Sequence, residues 1–172
     1  DNVCWLAECF RAILPEFPAA RLLLVGDGGW YDRVRERYAG TPEIVCRGYI
    51  DPARMPALIA GADVGLLPLL PDDANRAWFA GKSPTKLFEY MACGLPTVAS
   101  RFGEAERVIS DGHDGFLCRD AREFTQALRR LAGDAGLRRR LGAAARRTVE
   151  SGYSLAALMP KLAGIIRRQG AV

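Results

Sequence analysis

Apolar positions along the chain alternate between stretches at helical spacing and short uninterrupted runs. Val3, Leu6, Ala7, Phe10, Ile13 and Leu14 repeat at helical spacing, and Pro15 ends that helix. Arg21–Val25, apolar from Leu22 on, closes at Gly26-Asp27-Gly28-Gly29. A short apolar run bounded by turn residues predicts a strand buried on both faces, as in a parallel sheet. A polar helix is expected over Trp30–Tyr38, then a strand over Ile44–Cys46 running into Gly48. Pro52–Ala60 reads as a short helix with Asp51 as N-cap and Pro52 at its first position. The third strand is Asp63–Leu67, ending at Pro68, and a long loop, Pro71–Lys82, leads to Ser83-Pro84. A hydroxyl cap followed by proline is a strong helix start, and this helix runs to about Cys93 and stops at Gly94. Then come a strand over Pro96–Ser100, a short helix over Glu104–Ser110, an Asp-Gly-His-Asp-Gly turn and a strand over Phe116–Cys118. Arg122–Leu131, Ala135–Glu150 and Leu155–Arg168 are helical, the last lying in a terminal helical segment, 154–172. Strand and helix alternate with short links, which predicts an α/β domain around a parallel sheet flanked by helices. The chain opens on a helix where doubly wound sheets begin with a strand, so it reads as part of something larger.

Composition narrows the class. At 172 residues, 49% hydrophobic and 26% charged, the chain suits one globular, soluble domain and excludes disorder or collagen-like structure. No apolar run approaches the roughly 20 residues of a membrane-spanning helix, and Asp1–Leu6 lacks the pattern of a signal peptide. Lys and Arg number 24 against 20 Asp and Glu, a net charge of +4, too slight an excess to indicate nucleic acid. The 5 cysteines are scattered without a Cys-x-x-Cys pair, which points to reduced thiols and a cytoplasmic setting. With His113 the one histidine, no metal site is expected.

Three segments carry candidate chemistry. Gly26-Asp27-Gly28-Gly29-Trp30-Tyr31 follows a strand, but Tyr31 stands where a dinucleotide fingerprint needs its third glycine, so it reads as a plain glycine turn. Gly81-Lys82-Ser83 mimics the end of a phosphate loop, yet Arg76 occupies the place of the first glycine and no strand feeds it. The third is SPTKLFEYMACGLP, Ser83–Pro96. Its helix opens with free N–H groups and a positive dipole end, a ready seat for phosphate or pyrophosphate. Lys86, in the first turn, is unfavourable beside that positive end unless an anion binds between them. Glu89, one turn beyond Thr85, is placed to accept hydrogen bonds from hydroxyls. The pair also suits a surface i,i+3 ion pair, and from the residues alone the two readings stand level.

SPTKLFEYMACGLPTVAS, followed by Gly103, Glu106 and DGHDGFL, resembles the donor-binding half of retaining glycosyltransferases of family 4. LLLVGDGGWYDRVRER is similar to that family's second strand, glycine turn and helix, and VCRGYIDPARMPALIAGADVGLLPL to its next strand–helix–strand stretch. The resemblance spans nearly the whole chain. It implies one half of the two-domain GT-B fold, a Rossmann-like domain that binds a nucleotide-diphosphate sugar, facing an acceptor-binding domain. It implies further that Glu89 holds the ribose hydroxyls, that Ser83, Pro84, Thr85 and Lys86 form the turn that cradles the diphosphate, and that the main chain of Arg47, Gly48 and Tyr49 meets the base. No metal or other cofactor is implied, since helix N-termini and basic side chains neutralise the leaving diphosphate. No general base is assigned, the leaving phosphate assisting the incoming hydroxyl in related enzymes. Two departures matter: Gly81 stands where the family often has a glutamate that contacts the donor sugar, and the acceptor domain and first donor-domain strand are absent from the chain.

Arg129, Arg130, Arg138, Arg139, Arg140, Arg146 and Arg147 line two late helices and read first as a solvated face, second as attraction to anionic lipid at the cytoplasmic membrane face. His113 belongs to a surface turn, Trp5 to the core, and Trp78 to a loop that closes over the cleft. Two other classes stand beside sugar transfer: a non-catalytic nucleotide-sugar-binding or regulatory module, favoured by Gly81, and a sugar-nucleotide epimerase, disfavoured by the shortage of ionisable groups.

Overall fold

In a computed structural model the described residues are 2–70, 77, 81 and 83–169. The elements are α1 (Asn2–Arg11), β1 (Leu22–Val25), α2 (Gly29–Arg37), β2 (Ile44–Arg47), a 3-10 turn (Pro52–Arg54), α3 (Met55–Ala60), β3 (Gly65–Leu67), α4 (Thr85–Ala92), β4 (Thr97–Ser100), α5 (Ala105–Val108), β5 (Gly115–Cys118), α6 (Ala121–Gly133), α7 (Ala135–Gly152) and α8 (Leu155–Gln169). All strand pairing is parallel: β1 pairs with β2, and β3, β4 and β5 form a second ladder in that order.

Alternation along the strands sorts side chains into two apolar layers. Val98, Phe116 and Cys118 join Leu6 and Phe10 of α1, Val34 and Tyr38 at α2, and Phe124, Leu128 and Leu131 of α6. Leu67, Ala99 and Leu117 point the other way, against Leu87 and Met91 of α4, Val108 of α5, and Ala145 and Val149 of α7. Leu22 and Ile44 belong to the same cluster as Val98 and Phe116, so both ladders share one core. Trp5 packs edge-on to Phe124, 5.1 Å between ring centres, against that core.

The predicted elements are present with ends shifted by a few residues, and two expectations change. Leu22–Val25 is a strand, but Leu23 and Val25 are 40% and 38% exposed, so β1 is covered on one face rather than two. The Asp-Gly-His-Asp-Gly turn keeps His113 exposed, while Asp114 is buried, accepting Ser110 N–H at 2.8 Å and the Thr148 hydroxyl at 2.8 Å. Most of the late arginines are exposed, yet two tie elements together. Arg129 reaches Glu16 at 2.7 Å, and Arg138 holds Asp63 at 3.2 Å and the Leu131 carbonyl at 2.6 Å. Trp78 and Lys82 lie outside the described residues.

Candidate functional site

In a parallel sheet a crossover helix starts near the carboxyl end of the strand it follows, because the chain must return to the amino end of the next. α4 joins β3 to β4, so its first turn lies on the carboxyl rim of the sheet. Arg47, Gly48 and Tyr49 lie at the carboxyl end of β2, and Gly26–Gly29 follows that of β1 in the other ladder.

α4 is seated firmly. Leu87 and Met91 are fully buried, and the Tyr90 ring lies over Gly65 of β3, where a Cβ would overlap it. Burial, then the neighbouring Glu89 charge, pushes the Tyr90 phenol above its ordinary range. The carboxyl end closes in a Schellman motif: Gly94 takes φ 76°, its N–H bonding the Met91 carbonyl at 2.9 Å and that of Leu95 the Tyr90 carbonyl at 3.0 Å. With 87 and 91 facing the core, Thr85, Lys86 and Glu89 stand exposed, as does Ser83.

The helix start differs from the expected capped one. Pro84, at φ −82° and ψ 74°, occupies the N-cap position itself and no described side chain caps the helix. Its ψ lies outside the helical range, so the helix begins at Thr85 and the Ser83 hydroxyl does not cap it. The Thr85 N–H turns back to the Ser83 carbonyl at 3.0 Å, a three-residue turn, and Leu87 N–H bonds the Pro84 carbonyl at 2.9 Å. The Lys86 N–H has no partner among the described residues. No ion pair joins Lys86 to Glu89, so the alternative reading of these two as a surface pair does not hold in this structure.

The segment after β3, Pro68–Leu70, also lies on this rim, and its fixation was not anticipated. The Ser100 hydroxyl accepts Leu69 N–H at 2.9 Å and Asn2 Oδ1 accepts Leu70 N–H at 3.1 Å. A serine closing an apolar strand was the available signal for the first; nothing in the spacing signals the second. Tyr49 and Trp30 present exposed rings after β2 and β1, 71% and 63% accessible, Trp30 carrying Arg33 over its face at 4.9 Å. Among the described residues no hydrogen bond or ion pair joins Arg47–Tyr49 to the α4 tip.

A separate groove of about 390 Å³ runs along the outer edge of β5, lined by Arg101, Asp111, Phe116, Glu123 and Arg130 among others. Arg101 is paired with Asp111 and Arg119 with Glu123, while Arg130 lies over the Phe116 ring at 4.6 Å. At the α4 tip, by contrast, neither the Lys86 amide nor its ammonium group has a partner among the described residues. Among the described residues no group of His, Cys, Asp and Glu gathers to hold a metal ion, and no helix is long and apolar enough to cross a membrane.

Two parallel ladders over one core, with helices packed on both faces, give the α/β layering of a Rossmann-like domain. Residues 1–134 match the family model for glycosyl transferases group 1, and the chain belongs to that family. It is similar to the sulfoquinovosyl transferase SQD2 of Arabidopsis thaliana, 26% identical over 148 residues, which is 83% of this chain but 27% of the plant protein. Among solved structures, TarM of S. aureus, a complex with UDP, superposes with a TM-score of 0.77 at 15% identity, over 95% of this chain and 32% of that one. The C-terminal domain of a group 1 glycosyl transferase from Francisella tularensis superposes with a TM-score of 0.72 at 17% identity, over 90% of this chain and 80% of that one. These likenesses show the α/β architecture of GT-B glycosyltransferases. The chain spans about a quarter of the curated plant relative.

Proposed function

We propose that this chain is the donor-binding half of a retaining, family 4 glycosyltransferase that moves a sugar from a nucleotide-diphosphate sugar to an acceptor hydroxyl in glycan, glycolipid or polysaccharide biosynthesis at the cytoplasmic membrane face. In this reading the α4 tip takes the diphosphate. The Lys86 amide and ammonium group face it, and Thr85 N–H joins them by giving up its turn bond to the Ser83 carbonyl. As the sugar–phosphate bond breaks, negative charge builds on the departing diphosphate, and these donors stabilise it in place of a metal ion. Glu89, one turn along the exposed face, accepts from the ribose hydroxyls, and the Arg47–Tyr49 main chain meets the base. The acceptor hydroxyl arrives from a domain outside this chain.

The observation that supports this reading most is the pairing of an uncapped helix start with a lysine that has no carboxylate partner in that first turn. Calorimetric titration with UDP, GDP and ADP tests it. One of the three is expected to bind more tightly than its nucleoside, and equal affinity for nucleoside and nucleoside diphosphate contradicts it. A non-catalytic nucleotide-sugar module is the second reading, favoured by Gly81 where relatives often carry a sugar-contacting glutamate. Turnover of a radiolabelled donor by the longer protein separates the two.

A further inference from the structure

β1 and β2 end level. Val25 pairs with Arg47 in register, and Gly26 N–H bonds the Arg47 carbonyl at 3.1 Å, so the two segments leave the ladder side by side. What they carry next is mostly main chain: Gly26, Gly28 and Gly29 on one, Gly48 on the other. A Cβ built at any of the four meets no atom within 4 Å. Gly28, at φ 87°, needs glycine for its own conformation. Gly26, Gly29 and Gly48 have neither a positive φ nor a close neighbour, so nothing among the described residues requires them. Glycine loses more conformational freedom on folding than any other residue, and it is favoured where a ligand comes close to the main chain.

Two aromatic rings border this bare backbone. Trp30 and Tyr49 directly follow Gly29 and Gly48 and are 63% and 71% exposed. Trp30, Val34 and Tyr38 stand at i, i+4 and i+8 on one face of α2, and Val34 and Tyr38 are buried in the core. Helical side chains lean toward the amino end of their helix, and Trp30 lies in the first turn. Its ring therefore extends the core stripe past the carboxyl end of the ladder. Arg33 covers one face of the indole at 4.9 Å, and the ring is largely open otherwise.

Charge narrows the occupant. Asp27 lies in the glycine turn and Asp32 in the first turn of α2, two carboxylates that repel an anion, where α4 has Lys86. The place suits an uncharged planar group that offers a face to a ring and hydrogen-bonding edges to main chain. A nucleobase has that chemistry.

We infer that the Trp30 indole stacks on the base of the nucleotide donor, above the Gly26–Gly29 and Gly48 main chain, with Tyr49 at the border. The inference rests on the nucleotide-diphosphate-sugar reading. It adds to that reading a side chain that holds the base by its face, where the Arg47–Tyr49 main chain meets its edge.

Calorimetric titration with UDP, GDP, ADP and inorganic pyrophosphate compares the protein with Trp30→Ala and Trp30→Phe. For the nucleotide that binds, Trp30→Ala is expected to lose about ten-fold or more in affinity, the worth of one base–aromatic stack, and Trp30→Phe to keep most of it. Pyrophosphate affinity is expected to stay the same in both. Gly48→Ala puts a methyl group on the bare backbone and is expected to weaken the nucleotide without lowering the thermal midpoint. Unchanged nucleotide affinity in Trp30→Ala overturns the inference and leaves the diphosphate reading standing. Equal loss of nucleotide and pyrophosphate also overturns it, because a displaced α2 would produce that. A protein that binds neither nucleotide nor pyrophosphate contradicts the inference and the reading together.

Discussion

Helix starts in this molecule are built in two ways. At α6 the Asp120 carboxylate accepts Glu123 N–H at 2.8 Å, while Glu123 accepts Arg119 N–H at 2.8 Å. At α7 the Asp134 carboxylate accepts Leu137 N–H, also at 2.8 Å. Each places a negative side chain on the positive end of the helix dipole and satisfies amides that the helix cannot. α4 does neither. Proline takes the cap position, no described side chain caps the helix, and a lysine stands in the first turn. α2 and α3 also start without a side-chain cap, so what sets α4 apart is the lysine in its first turn, a charge that the helix dipole disfavours and that an anionic ligand would offset.

The comparison is broken or sharpened by changes at each kind of start. Lys86→Ala removes the charge that faces the anion. Loss of a charged hydrogen bond is worth about 1.5–3 kcal/mol, so nucleoside diphosphate affinity is expected to fall by roughly ten- to a hundred-fold in calorimetry. Pro84→Asp gives α4 the cap that α6 and α7 have. It is expected to raise the thermal midpoint, by up to about 1 kcal/mol of stability, while weakening diphosphate binding by about ten-fold through like-charge repulsion. A variant that gains stability and keeps its affinity would show that the two kinds of start do the same job. Glu89→Ala tests the next turn. UDP affinity is expected to drop by about ten-fold or more, the worth of a neutral-to-charged hydrogen bond, with inorganic pyrophosphate binding unchanged. Asp134→Ala is the control, expected to cost about 1 kcal/mol in urea denaturation and nothing in ligand affinity.

Much of this fold was legible because local chemistry and tertiary position agree. Leu22–Val25, Thr97–Ser100 and Gly115–Cys118 are apolar runs between glycines, prolines and charges, and Gly94 ends α4 in the left-handed conformation that its missing Cβ permits. The places of failure are also physical. Ser83-Pro84 has the composition of a capped start, but composition does not fix the ψ of Pro84, which decided where the helix begins. The β1 run implied burial on both faces, yet burial is a property of neighbours, and β1 has its described partner strand on one side. Asp114 looked like one more turn residue. Its role as a buried bridge from Ser110 to Thr148 depends on α7 lying over the turn, which no local pattern encodes. The candidate site residues were chosen as a group through their order along the chain. Local periodicity placed Lys86 and Glu89 on an exposed face but left open whether they pair, and no ion pair joins them.

Backbone amide shifts in the 15N-labelled chain, followed during titration with UDP, GDP and ADP, test the α4 tip most directly. The nucleotide that binds is expected to move the Lys86 and Thr85 signals strongly and to leave those of Glu123 and Leu137, which their aspartates already hold, in place. Saturable binding that leaves Lys86 and Thr85 unmoved would contradict the assignment of the diphosphate to this helix start.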